Sequence, residues 1–147
     1  MKSASIIASV LLLAMMTAGC KDNDLENVSK GLLVTAESIG VLQQTVIEAE
    51  KLGVISTQDT ASILTLSIKV NEAGKDAVAI TRAISKLDQP NKEAILKILI
   101  PVIKAVDDCV ANGLAGIKNE QTKQKIRGIL LGIQSALNAI QLTLGGS

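Results

Sequence analysis

Eight residues in the middle of the chain, Ile63, Leu66, Val70, Ala73, Ala77, Ile80, Ile84 and Leu87, follow one another at alternating steps of three and four. Such steps keep returning to one side of an α-helix, which turns once every ~3.6 residues. A strand, with its two-residue period, cannot place these side chains on one face. Lys69, Glu72, Lys75, Asp76, Arg82 and Lys86 fall between them, so the opposite face is charged. Ser56, with Asp59 three residues on, supplies a capping box ahead of the pattern. A helix over residues 57–87 is expected.

Three further segments share the period. Leu25, Leu32, Ile39 and Val46 repeat every seven residues, Val28, Leu42 and Ala49 fill the alternate row, and Gly53 supplies a stop. This predicts a helix over about 25–52. Ile126, Leu130, Ile133, Leu137, Ile140 and Leu144 predict another over 119–144, with Asn119 and Glu120 suited to its start and Gly145-Gly146 to its end. Residues 90–112 are the most apolar of the four, with only Lys97 and Lys104 set among Ile95, Leu96, Ile98, Leu99, Ile100, Val102, Ile103 and Val106. Gln89-Pro90 opens this segment, where proline is tolerated, and Asn112-Gly113 ends it. Pro101 removes a backbone hydrogen bond and should kink it. The two lysines argue against a membrane span and for a core helix buried on most sides.

Short links between long helices force antiparallel neighbours. The expected fold is therefore all-α: an up-down-up-down four-helix bundle with a heptad-like aliphatic core. No strand pattern or internal repeat stands out. Gly128, Gly132 and Ala136 form a small-residue row at four-residue spacing. In a membrane span this would mean tight helix pairing. Lys123, Lys125 and Arg127 on the same segment favour close packing inside the bundle instead.

The 147 residues include no Phe, Tyr, Trp or His. Single-stranded nucleic acid sites stack bases on aromatic rings, so that class loses its usual platform. Without His the chain lacks the side chain best matched to acid–base chemistry near neutral pH and the commonest zinc ligand. The 15 basic and 14 acidic residues are interspersed, leaving no basic footprint for nucleic acid or anionic lipid. An enzyme built from this composition would rely on Asp, Glu and Lys alone.

The first twenty residues differ from the rest. Met1-Lys2 gives a short positive start, Ala4 to Ala18 is almost wholly apolar, and Thr17-Ala18-Gly19-Cys20 is followed at once by Lys21-Asp22-Asn23-Asp24. A charged start, an apolar run and small residues make the layout of a secretory signal. The apolar run is short for a membrane-spanning helix, which needs about 20 such residues. The ending resembles the lipobox of bacterial lipoproteins: an aliphatic residue, two small residues and a cysteine. Thr17 stands where that motif usually has Leu or Val. The resemblance covers residues 1 to about 22 and implies a processing route, not an activity. It implies that residues 1–19 are removed as a signal peptide and that Cys20 is the lipid attachment site, with palmitate-type acyl chains. Residues 20–24 would then be a lipidated tether and 25–147 the bundle. In such proteins an Asp directly after the cysteine holds the protein in the inner membrane. Lys21 holds that position here, which implies the outer membrane, facing the periplasm.

Remaining motifs are weak. Cys109 follows Asp107-Asp108, whose negative charges raise rather than lower a thiol's pKa. It shares the seven-residue row of Ile95 and Val102, so it reads as a small core residue rather than a nucleophile or redox sensor. A Cys20–Cys109 disulfide would compete with lipidation. Asp22-Asn23-Asp24-Leu25-Glu26 resembles the start of a calcium loop, but Asn27 and Leu33 occupy its glycine and glutamate positions. These acids suit a solvated tether ahead of a helix N-terminus. Gln43, Gln44, Thr45, Thr57, Gln58, Thr60, Thr122, Gln124 and Gln134 are expected on outer faces, as solvated surface or a docking face. No catalytic, cofactor-binding or metal-binding residues are assigned.

The expected function is a non-enzymatic, lipid-anchored, periplasm-facing helical protein with an interaction or envelope-structural role. Its partners would be the membrane, through Cys20, and another envelope protein, with no nucleic acid. Alternatives are an apolar-ligand or lipid-binding bundle, with a cleft opened by the kink, and an inhibitor or immunity lipoprotein.

Overall fold

The computed structural model describes residues 23–145. They form four helices: α1 (Asn23–Lys51), α2 (Thr57–Ala83), α3 (Gln89–Ala111) and α4 (Glu120–Thr143). Each packs against its neighbours in a closed ring, α1 on α2, α2 on α3, α3 on α4 and α4 on α1, with no packing across either diagonal. The fold is the all-α four-helix bundle that the heptads predict.

The helix ends follow from local chemistry. At the end of α1 the N–H of Gly53 donates to the Glu50 carbonyl and that of Val54 to the Ala49 carbonyl, a Schellman closure. This closure needs a left-handed residue, and Gly53 has φ +69°. Ser56 caps α2: its hydroxyl accepts from the Asp59 N–H at 3.0 Å and donates to the Asp59 carboxylate at 2.6 Å. Asp88 caps α3, accepting from the Asn91 N–H, and Asn119 caps α4, accepting from the Thr122 N–H.

Two boundaries differ from expectation. α1 begins at Asn23, so Asn23 and Asp24 form part of its first turn rather than a tether or an open loop. α2 ends at Ala83, because Ile84 turns extended (φ −120°, ψ 153°) so that the chain can reach the Asp88 cap. Leu87 is nevertheless buried, from the connection rather than from the helix. The other links contribute in the same way: Ile55, Leu114 and Ile117 fold inward and close the ends of the core.

The core is aliphatic between these plugs, with Leu25, Leu42, Ile63, Ile95, Leu99, Leu130, Ile133 and Ile140 almost inaccessible. Five hydroxyl side chains join it: Thr35, Thr45, Thr60, Ser67 and Thr81. Thr45 and Thr60 therefore do not lie on outer faces. Three of the five are satisfied by their own helix, Thr35 donating to the Gly31 carbonyl, Ser67 to Ile63 and Thr81 to Val78. The hydroxyl of Thr60 has no partner.

α3 buries one face, through Ile95, Leu99, Val102, Ile103 and Val106, and not most of its circumference. Ile100 and Pro101 are exposed, and the helix runs unbroken through Pro101. Proline there frees the Lys97 carbonyl four residues back. Both residues are exposed, so solvent can satisfy that carbonyl.

The glycine row also falls elsewhere than expected. Gly128 and Gly132 are exposed, with nothing near their Cβ positions. The close approach is made instead by Gly31 on α1. A Cβ there would lie 2.5 Å from Cγ1 of Ile140 and 2.9 Å from its Cδ1. Gly31 thus lets Ile140 of α4 lie directly on the α1 backbone.

Candidate functional site

Cys20, the lipid-attachment residue expected from the sequence, and the signal segment 1–19 lie outside the described residues. Within them two features stand out.

The first is a shallow groove of about 380 Å³ between the N-terminal part of α2 and the C-terminal part of α3, lined by Ser62, Ile63, Leu66, Ala105, Asp108, Cys109, Asn112 and Gly113. Cys109 is half-buried rather than fully in the core. Burial pushes its thiol above the ordinary range, so near neutral pH it stays protonated and a poor nucleophile. The direction matches the expectation from Asp107-Asp108, but desolvation is its cause. Asp107 instead accepts a hydrogen bond from the Gln134 amide at 2.6 Å, tying α3 to α4. Gly113 packs against Cys109, within 3.0 Å of its Cα and carbonyl oxygen measured from a Cβ position. Among the described residues no three His, Cys, Asp or Glu side chains come together as a metal site.

The acids near the start of the chain are ordinary helix-end groups. Asp24 and Glu26 lie in the first turn of α1, where negative charge is favourable. Lys30 reaches back to Glu26 at 2.6 Å, and its hydrogen bond and charge hold that carboxyl below its usual range. Lys92 of α3 approaches Asp24 at 3.8 Å, which brings the starts of α1 and α3 to the same end of the bundle.

The second feature is a set of exposed apolar side chains on α1 and α4. Val34 and Val41 on α1 are 49% and 53% exposed; Leu131 and Leu142 on α4 are 44% and 74% exposed. Gly128, Gly132 and Ala139 are also exposed on α4, and Leu131 and Asn138 share the flank of Gln134, which reaches α3. No charged residue occurs from Gly128 to Gly145, and Glu37 is the one charge between Gly31 and Ile47. No protein family, curated relative or solved structure matches this chain.

The sequence pattern held a signal for these exposed residues that the buried rows masked. Val34 and Val41 repeat at seven, but off the buried row of Leu32, Ile39 and Val46. Gly128 and Gly132 likewise fall about half a turn from Ile126, Leu130 and Ile133. Nor could polarity alone have picked out Thr60, whose hydroxyl is buried without a bond.

Proposed function

We propose that the chain is a non-enzymatic, lipid-anchored helical protein of the cell envelope, held by acyl chains on Cys20 and acting by protein–protein contact. The observation that carries this reading is the lipobox-like Thr17-Ala18-Gly19-Cys20 ending only two residues before α1, which begins at Asn23. Chain of that length reaches about 10 Å at most. The anchor would hold the α1 end of the bundle, with the 84–88 link and Leu144, against the membrane. The opposite end, with the 52–56 and 112–119 links, would project into the periplasm. Several acyl chains on one residue meet the two-signal requirement for stable anchoring. None of the described helices is long and apolar enough to cross a membrane.

Radiolabelled palmitate tests the reading. The intact chain expressed in a bacterium should take up label and partition with outer-membrane fractions, and Cys20→Ser should abolish both. Label that survives Cys20→Ser contradicts the anchor. The alternative of an apolar-ligand binder has less support, because the α2–α3 groove is shallow and open and the core between the helices is filled with aliphatic side chains.

A further inference from the structure

We infer that Asn112-Gly113 is a self-modifying site, at which the folded chain slowly converts Asn112 to aspartate and isoaspartate. The inference concerns the end of α3 and does not depend on the anchor at Cys20.

The chemistry needs these two residues and water. The Gly113 amide nitrogen, on losing its proton to solvent base, attacks the side-chain carbonyl carbon of Asn112. A C–N bond forms, the Cγ–Nδ2 bond breaks and ammonia leaves, which closes a five-membered succinimide ring. Water then opens the ring. Addition at Cγ gives aspartate, and addition at the main-chain carbonyl gives isoaspartate, with the backbone rerouted through the side chain. Across both steps one water is consumed and one ammonia released. A side chain on the following residue hinders the attack, and Asn112 is the one asparagine of the chain that glycine follows.

The fold decides how open this pair is. Asn112 is the C-cap of α3, with φ −129° and ψ −27°, and both it and Gly113 are exposed. Packing requires the glycine, since a Cβ at 113 would lie 2.9 Å from the Cys109 Sγ. Two features restrain the reaction. The Gly113 N–H donates to the Cys109 carbonyl at 2.9 Å, so the attacking nitrogen is engaged. A planar ring also needs the Asn112 Cβ and the Gly113 nitrogen eclipsed about the Cα–C bond, which ψ −27° does not provide. Both restraints belong to a helix end, where local opening costs least. Releasing that bond and turning ψ frees the pair, against the hold of buried Leu114 next along. Asn23, Asn27, Asn71, Asn91 and Asn138 lie within helices, and the Asn119 side chain is engaged in capping α4.

The product changes the site. α3 already ends with Asp107 and Asp108 and has no basic residue in its last turn. A further negative charge at the C-cap opposes the helix dipole. It loosens the end of α3 and adds an acid to the groove beside Cys109.

Peptide mapping of the full chain tests this. The chain is incubated folded in mildly alkaline buffer and, in parallel, unfolded in urea. Mass spectrometry of the tryptic peptide over residues 105–118 reads the change from amide to acid. Methyl transfer by an isoaspartyl methyltransferase reads isoaspartate. Asn112 should convert in both samples and give both products, roughly tenfold more slowly when folded, as one hydrogen bond would impose. The other asparagines should stay amides in the folded chain. No conversion of Asn112 in the folded chain, or equal conversion at another asparagine, overturns the site. Equal rates folded and in urea overturn the restraint by the Cys109 carbonyl. Asn112→Ser should abolish the signal with the helical circular dichroism spectrum unchanged, and a signal that survives it overturns the assignment. Asn112→Asp should lower the urea midpoint relative to Asn112→Ser, and equal midpoints overturn the loosening of α3.

Discussion

The two halves of this bundle solve the same packing problem differently. α1 and α4 meet closely because Gly31 has no side chain and Ile140 fills the space. Their outer faces expose Val34, Val41, Leu131 and Leu142, and the last 16 residues of α4 carry no charge. α2 and α3 carry charge along their outer faces, bury three hydroxyl side chains in α2, and leave a groove beside Cys109. The difference places structural tolerance on one side and intolerance on the other.

Matched glycine substitutions give the largest contrast. Gly31→Val puts two methyl groups and a Cβ into space already held by Ile140, with the Ala136 carbonyl 3.7 Å behind. Overpacking of this kind should cost about 3 kcal/mol, read as a lowered urea midpoint. Gly74→Ala on α2 meets nothing within 4 Å and should raise stability by about 1 kcal/mol through helix propensity. Equal effects from the two substitutions would abolish the distinction between the seams.

That contrast also shows what the residues reveal on their own. The helix number, the stop at Gly53 and the caps at Ser56 and Asn119 were legible, because period and capping are local properties of the chain. The end of α2 was not. Ile84 and Leu87 keep the heptad spacing after the backbone has left the helix, so the pattern could not register the turn. Gly31 was hidden because a glycine beside the buried row resembles any other, until the partner helix is placed against it. The groove at Cys109 is lined from two helices and the turn after α3, which no spacing within one helix encodes.

Thr60 offers a smaller effect, confined to the α2–α3 half. Its hydroxyl is buried without a partner, whereas that of Ser67, two turns on, donates to the Ile63 carbonyl at 2.9 Å. Thr60→Val keeps the shape and removes the unpaired group, and should raise stability by about 1 kcal/mol. Ser67→Ala removes a bonded hydroxyl and should change stability by less than about 1 kcal/mol. Urea melts of the two variants check this. A loss on Thr60→Val would mean that the hydroxyl is satisfied in solution.

Cys109 supplies the smallest effect and the most direct probe of how open the α2–α3 half is. The folded thiol titrates above its ordinary value because burial disfavours the thiolate. The folded chain therefore holds this proton more tightly than the unfolded chain. Stability contributed by the neutral thiol is fully present below the ordinary thiol pKa, about 8.5. It is lost as pH rises from there through the raised folded value. In a Cys20→Ser background, urea midpoints should be flat around neutral pH and fall slightly in the alkaline range, and Cys109→Ala should reduce that fall. Iodoacetamide at pH 8 should label Cys109 more slowly in the folded chain than in urea. Equal labelling rates in both would mean that α2 and α3 separate readily at the groove.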